Sequence, residues 1–187
     1  MINDAGKVRF KVCNTCGYAI LGSEPTPSKH KNPWGGECQG KLTGGYSLGH
    51  EFQTDVLKLE FRGWTDLRPG FWLSLLYGLL EGVSGALDIE RRDIDGCLYT
   101  PVGNPDTRQL ILFDDVPGGA GHVRRIANEA ALRSVLEETL RRLSSCDCGS
   151  IDNDTSCYEC LRNYRNQFCH DELKRGMVVG FLSKVLG

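Results

Sequence analysis

Positive charge is not in excess in this 187-residue sequence: 22 Lys and Arg stand against 24 Asp and Glu, a formal net charge of −2. That excludes a globally basic nucleic-acid binder, although a local basic patch is compatible with it. No apolar run is long enough to cross a bilayer. The richest, residues 71–80, is broken by Ser74, Tyr77 and Gly78 and falls well short of the roughly 20 residues that a span needs. The opening MINDAGKVRF has no apolar h-region of the kind a secretory signal carries. The expectation is therefore a cytoplasmic chain with no membrane partner. Internal repeats and low-complexity tracts are absent too, and histidine is scarce, with four in all.

Cysteine is plentiful by comparison. Nine occur, mostly in close pairs, and in a reducing compartment such pairs hold metal more often than they bridge. The chain does not need disulfides to fold, because 40% hydrophobic residues can supply a core.

Patterning predicts an α+β fold: a small mixed or antiparallel sheet packed with several helices, with a zinc knuckle at each end. A short strand runs through Val8, Phe10 and Val12 into Cys13, and residues 22–50 read as one long loop that a metal would hold. Leu57, Leu59 and Phe61 alternate as a half-buried strand. A central helix follows, with Asp66 as its cap, Pro69 in its first turn, and Trp72, Leu75, Leu76, Leu79 and Val83 on its apolar stripe. Gly78, Gly82 and Gly85 lower its helix propensity but permit close packing. Two strands are expected near 88–92 and 96–100, with Asp95-Gly96 as a hairpin turn, then an apolar strand at 109–113. One long helix is expected from Val123 to Leu143, with further helices at 158–168 and 171–186. The expected division is an N-terminal knuckle, 1–50, and an α+β domain, 51–187.

Cys146, Cys148, Cys157 and Cys160 have the spacing C-x-C-x8-C-x2-C. Two close pairs joined by a short loop supply the four soft ligands that tetrahedral zinc requires, and Gly149, Asp152, Asn153 and Asp154 are turn formers that fold the loop back. Such a site would staple the long helix to the next one. Cys13, Cys16 and Cys38 form a second set, completed by His30, His50 or a water, with His30 the nearest in sequence. Cys97 and Cys169 read as buried, inert thiols.

Asp114-Asp115 precedes Pro117-Gly118-Gly119-Ala120-Gly121 at a strand end. That turn reads either as a phosphate site at a helix N-terminus or as an acid-capped turn tethering the helix. Asp88, Glu90, Asp93, Asp114 and Asp115 are the acids a Mg²⁺-dependent nuclease would use. Arg162, Arg165 and Asn166, with Tyr164, fall at helical spacing after the cysteine loop. They read either as a nucleic-acid surface, extended by Arg124, Arg125, Arg141 and Arg142, or as a solvated face whose arginines pair with local carboxylates. His50-Glu51 and His170-Asp171 lack a nucleophile and read as capping or packing residues.

Three stretches carry a resemblance: residues 47–57 (SLGHEFQTDVL), residues 113–121 (FDDVPGGAG) and residues 157–167 (CYECLRNYRNQ). Together they resemble the MrfA-type zinc-binding domain found at the C-terminus of DEAD/DEAH-box superfamily 2 helicases of bacterial DNA repair, and in DrmB-like proteins of DISARM phage defence. The resemblance implies zinc held by Cys146, Cys148, Cys157 and Cys160, and an accessory role beside a helicase motor on DNA. The chain itself has no Walker A sequence, so it is not expected to be an enzyme on its own. A superfamily 2 motor would be supplied in cis or in trans, and a protein-docking role is the remaining alternative.

Overall fold

The computed structural model describes residues 2–3, 7–49, 51–64, 66, 68–101, 108–149 and 155–187. Packing divides the chain into two units, Met1–Phe52 and Gln53–Gly187.

The first unit is built from short strands. β1 (Ile2–Asn3) pairs with β7 (Leu48–Gly49), and β2 (Phe10–Cys13) lies between β3 (Ala19–Leu21) and β6 (Leu42–Tyr46). β4 (His30–Lys31) and β5 (Glu37–Cys38) form a separate hairpin, with His30 directly opposite Cys38. Residues 22–50, expected to be loop, thus contain four strands. None is longer than five residues, too short to register as an alternation, and pairing rather than propensity defines them. Among the described residues the buried apolar core of this unit is small: Cys13, Ile20, Cys38 and Leu42, with Cys16 and Tyr18 against it.

The second unit has a three-stranded antiparallel sheet in the order β8 (Val56–Glu60), β10 (Gln109–Asp114), β9 (Ile94–Tyr99). Leu59, Leu110 and Leu98 stand in register across it, as do Leu57, Leu112 and Gly96. Helix α1 (Phe71–Leu87) packs on this sheet and buries the expected Trp72, Leu75, Leu76, Leu79 and Val83. Each such side chain withdrawn from water contributes about 1.5–3 kcal/mol. α1 is capped by Gly70 at φ 81° and not by Asp66. Asp66 instead accepts from Arg68, while its carbonyl accepts from the Trp72 indole N–H at 2.8 Å.

Asp95-Gly96 lies inside β9 and makes no turn. A Cβ at Gly96 would come within 2.9 Å of Leu76 and 2.8 Å of the Ile111 carbonyl, so glycine here serves the close approach of α1 and β10. The segment 88–92 is likewise not a strand; a 3-10 turn (Arg91–Asp93) precedes β9.

The expected long helix is two. α2 (His122–Arg125) ends at Arg125, and Asn128 caps α3 (Glu129–Ser144) by accepting from Ala131 N–H at 3.0 Å. The apolar periodicity runs unbroken through this joint, which hides it. α3 lies against α1 at Gly78, Gly82 and Gly85, where an added Cβ would meet Thr139, Leu143 or Glu138. The chain closes with a 3-10 run, Tyr164–Glu172, kinked at Asn166 and Cys169, and with α4 (Arg175–Leu186). A helix beginning at Tyr158 is therefore not formed. Phe181 of α4 completes an aromatic cluster with Phe61, Trp64 and Phe71, the ring centroids 4.8–5.4 Å from its own. No helix among the described residues is long and apolar enough to cross a membrane.

Candidate metal centres

Among the described residues, two groups of side chains converge that could hold a metal ion: Cys13, Cys16, His30 and Cys38, and Cys146, Cys148, Cys157 and Cys160. Within each group the ligand atoms lie within 4.8 Å of one another. Four sulfurs on a tetrahedral zinc at about 2.3 Å stand about 3.8 Å apart. The second group matches: Cys146 and Cys157 sulfurs are 3.5 Å apart, Cys148 and Cys160 3.6 Å, and Cys157 and Cys160 3.9 Å. All nine cysteines are free thiols. Both donor sets therefore fit zinc, which is the cofactor they indicate.

The C-terminal group is assembled by a turn and a cation. The Cys157 carbonyl accepts N–H bonds from Cys160, Leu161 and Arg162, at 2.9–3.2 Å, which tightens the second pair. The Cys157 N–H in turn donates to the Cys160 sulfur at 3.2 Å. Arg175, buried at the start of α4, donates to the Cys148 carbonyl at 2.7 Å and to the Leu143 carbonyl at 2.8 Å. The loop's first pair is thus tied to the ends of two helices. Asp152, Asn153 and Asp154, the expected turn formers, lie outside the described residues. Burial pushes the Cys160 and Cys146 thiols up. Burial also acts on Cys157, but the Glu159 N–H and the neighbouring sulfurs outweigh it and hold this thiol below the ordinary range.

The N-terminal group joins two hairpin-borne pairs. Cys13 and Cys38 sulfurs are 3.9 Å apart, and His30 Nε2 is 3.2 Å from the Cys16 sulfur. The imidazole is 8% exposed and stacks on Tyr18, with ring centroids 4.7 Å apart. Backbone N–H groups reach the sulfurs: Thr15 donates to Cys13 at 3.4 Å and Gly40 to Cys38 at 3.3 Å. Burial raises the Cys13 thiol, but the Thr15 and Cys16 N–H groups, with the Cys16 and His30 side chains, more than offset it and bring it down to about 6. Of the three fourth-ligand alternatives, His30 is the one found here; His50 lies outside the described residues.

The acids of a nuclease do not converge among the described residues. Asp114 is fully buried, and its carboxylate accepts from the N–H groups of Ala120 (2.7 Å), His122 (3.1 Å) and Val123 (3.0 Å). It occupies the place a phosphate would take at the start of α2, so the glycine turn is acid-capped. Thr54 Oγ1 donates to the Asp114 carbonyl at 2.6 Å, and the Gln53 carbonyl accepts from Gly118, which links the first two family-like stretches. Asp115 pairs with Arg165 at 2.6 Å, Glu90 with Arg92 at 2.6 Å, and Asp88 ends α1.

The arginine-aromatic segment is only partly a surface. Asn166 is 0% exposed: its amide donates to the Leu161 carbonyl and its oxygen accepts from the Asn163 N–H and His170. This corrects the outward placement that helical spacing predicted. The kinked 3-10 run turns Asn166 inward, where it completes a capping box with Asn163. Arg162 donates to Ser156 Oγ at 3.0 Å, and Arg165 is held by Asp115 and Asp95. Arg124, Arg141 and Arg142 pair with Asp55, Glu138 and Glu81. Tyr164 stands free at 82% exposure, joined by Phe168 at 78%, which the sequence reading overlooked. Cys169 is buried as expected, whereas Cys97 is exposed on β9.

Comparison with known proteins gives a partial match to one family model and two longer relatives. Residues 75–161 match the model of the MrfA Zn-binding domain, a stretch that contains all four C-terminal cysteines. The chain is 30% identical over 210 aligned positions to the Druantia protein DruE of Escherichia coli (strain UMEA 4076-1), covering 98% of this chain and 11% of that protein. A crystal structure of the DUF1998 helicase MrfA bound to DNA shares the fold at a TM-score of 0.51 and 17% identity, over 80% of this chain and 19% of that one. This chain thus spans a small fraction of the length of both.

Proposed function

We propose that this chain, in which residues 75–161 carry an MrfA-type zinc-binding domain, is a non-catalytic accessory module of a DNA helicase or translocase in DNA repair or phage defence. The observation that carries the reading is the match to DruE along 98% of the chain, which takes in both cysteine groups. Zinc would be held by Cys146, Cys148, Cys157 and Cys160 in the larger unit, and by Cys13, Cys16, His30 and Cys38 in the smaller. Its work there is structural: four protein ligands leave no position for substrate.

The motor, a superfamily 2 helicase in cis or in trans, supplies ATP hydrolysis, for which this sequence has no Walker A element. Tyr164, exposed just after the C-terminal cysteines, is the side chain of that segment left for DNA, Arg165 being engaged by Asp95 and Asp115. The buried, fully hydrogen-bonded Asp114 supports a non-nucleolytic reading. The test pairs the chain with the superfamily 2 motor encoded in frame with it or beside it, measuring DNA-dependent ATP hydrolysis and unwinding. Stimulation that is lost on Cys157→Ser and Cys160→Ser is expected. A motor indifferent to the chain, or Mg²⁺-dependent cleavage of DNA by the chain alone, would overturn the proposal.

A further inference from the structure

Trp34 stands at the tip of the β4–β5 hairpin with 83% of its surface exposed, more than any other large apolar side chain among the described residues. An indole left in water forgoes a large burial term, so its position calls for a reason. The backbone beneath it is firmly built. Asn32 Oδ1 accepts from the N–H groups of Trp34 and Gly36, each at 3.0 Å. The Asn32 carbonyl accepts from Gly35, and the Asn32 N–H donates to the Gly36 carbonyl. Gly35, at φ 93°, adopts the left-handed conformation that closes the turn. At the base of the same hairpin, His30 and Cys38, both in the candidate metal-ligand group, stand opposite each other. The ring is therefore presented on a short, pinned ladder.

Its surroundings are cationic and polar. Lys29 precedes the hairpin and Lys31 lies in β4 opposite Glu37; both are exposed, and neither comes within ion-pair distance of a carboxylate among the described residues. Between residues 29 and 41 there are three lysines and one acid, Glu37. Beside Trp34 lie Asn32, Pro33, Gly35 and Gly36, which offer little of the apolar area that a protein interface of about 800 Å² per partner requires. A single aromatic face with free cations beside it matches a base and its phosphates. Tyr164 and Phe168 differ in this respect: Arg165 near them is bound to two aspartates, and Asp171 and Glu172 follow.

We propose that Trp34 is a stacking platform for an unpaired nucleobase, with Lys29 and Lys31 on the adjoining phosphates, so that the hairpin tip binds single-stranded nucleic acid. The proposal deepens the accessory reading and rests on it only in taking DNA as the polymer. The test is fluorescence anisotropy of labelled oligothymidylate and oligouridylate with the zinc-loaded full chain across a salt series. Trp34→Ala should weaken binding by roughly 5- to 100-fold, whereas Trp34→Phe should retain most of it. Lys29→Gln with Lys31→Gln should reduce the salt slope by about 1.4. Zinc content and thermal midpoint should not change in these exposed-site variants, which keeps folding out of the result. Tighter binding of oligothymidylate is expected, and a preference for oligouridylate would overturn the assignment to DNA.

Wild-type affinity in Trp34→Ala, no single-strand binding by the wild type, or a Trp34→Ala defect confined to motor association would each overturn the proposal. Motor stimulation surviving such a failure leaves the accessory role in place. Trp34-dependent binding without any effect on a motor removes the accessory role alone.

Discussion

Arg175 donates to the carbonyl of Leu143 at 2.8 Å, joining residues 32 positions apart with one buried guanidinium. The same group holds the Cys148 carbonyl, so one side chain fixes the end of α3, the start of α4 and the first cysteine pair. Replacing it by methionine leaves both carbonyls without these donors, at a cost of about 1–3 kcal/mol each. Arg175→Met should lower stability by about 3 kcal/mol in urea and hasten zinc release to a chromogenic chelator. Arg175→Lys, which lacks the two-pronged donor, should recover only part of the loss.

Gly40 lies against the N-terminal cysteines. A Cβ there would stand 2.6 Å from the Cys13 sulfur and 2.6 Å from Thr15 Oγ1. Gly40→Ala should therefore reduce bound zinc from about two equivalents to about one by elemental analysis, the Cys146–Cys160 site retaining its metal. Gly44→Ala, whose methyl would meet only Lys11 at 3.4 Å, should keep both.

Asp114 receives three backbone N–H groups in a fully buried position. Asp114→Ala orphans all three and should cost about 3–4 kcal/mol. Asp114→Asn should be nearly as damaging, since its amide turns an N–H toward donors. Equilibrium denaturation distinguishes this capping role from a catalytic one, because a catalytic acid can be replaced without loss of stability.

Acid should weaken the larger unit through Asp66 and Glu138. Hydrogen bonds from Arg68 hold the Asp66 carboxyl below its ordinary range, and Arg141 does the same for Glu138. The folded state releases these protons more readily than the unfolded chain, so their stabilisation is complete above the ordinary carboxylate range. It fades as pH falls through the lowered folded values. Urea midpoints for Asp66→Asn with Glu138→Gln should therefore approach those of the parent protein between about pH 6 and pH 3, zinc loss being common to both.

Features with a local cause were legible in the sequence. The apolar stripe of α1, the alternation of β8, the strand 109–113 and the cysteine spacing each follow from side chains a few residues apart. Where tertiary contact overrode a local signal, the sequence misled. Asp95-Gly96 has turn chemistry but lies in a strand, because Leu76 and the Ile111 carbonyl need the space that a Cβ would fill. Asn128 interrupts a helix whose apolar period continues past it. Asn166 has a surface residue's polarity, yet spends it on Asn163, Leu161 and His170. Trp34 was recognisable only as part of a Gly- and Pro-rich loop until the pairing of His30 with Cys38 placed it at a hairpin tip.

Among its described residues the smaller unit buries four apolar side chains in its core, two of which, Cys13 and Cys38, belong to the candidate metal-ligand group. A core that thin contributes little without its ion, so the folded fraction of this unit follows mass action. While free zinc stays well above the dissociation constant, each tenfold fall removes about 1.4 kcal/mol of that stabilisation. The availability of the Trp34 hairpin is then set by the zinc activity of its surroundings.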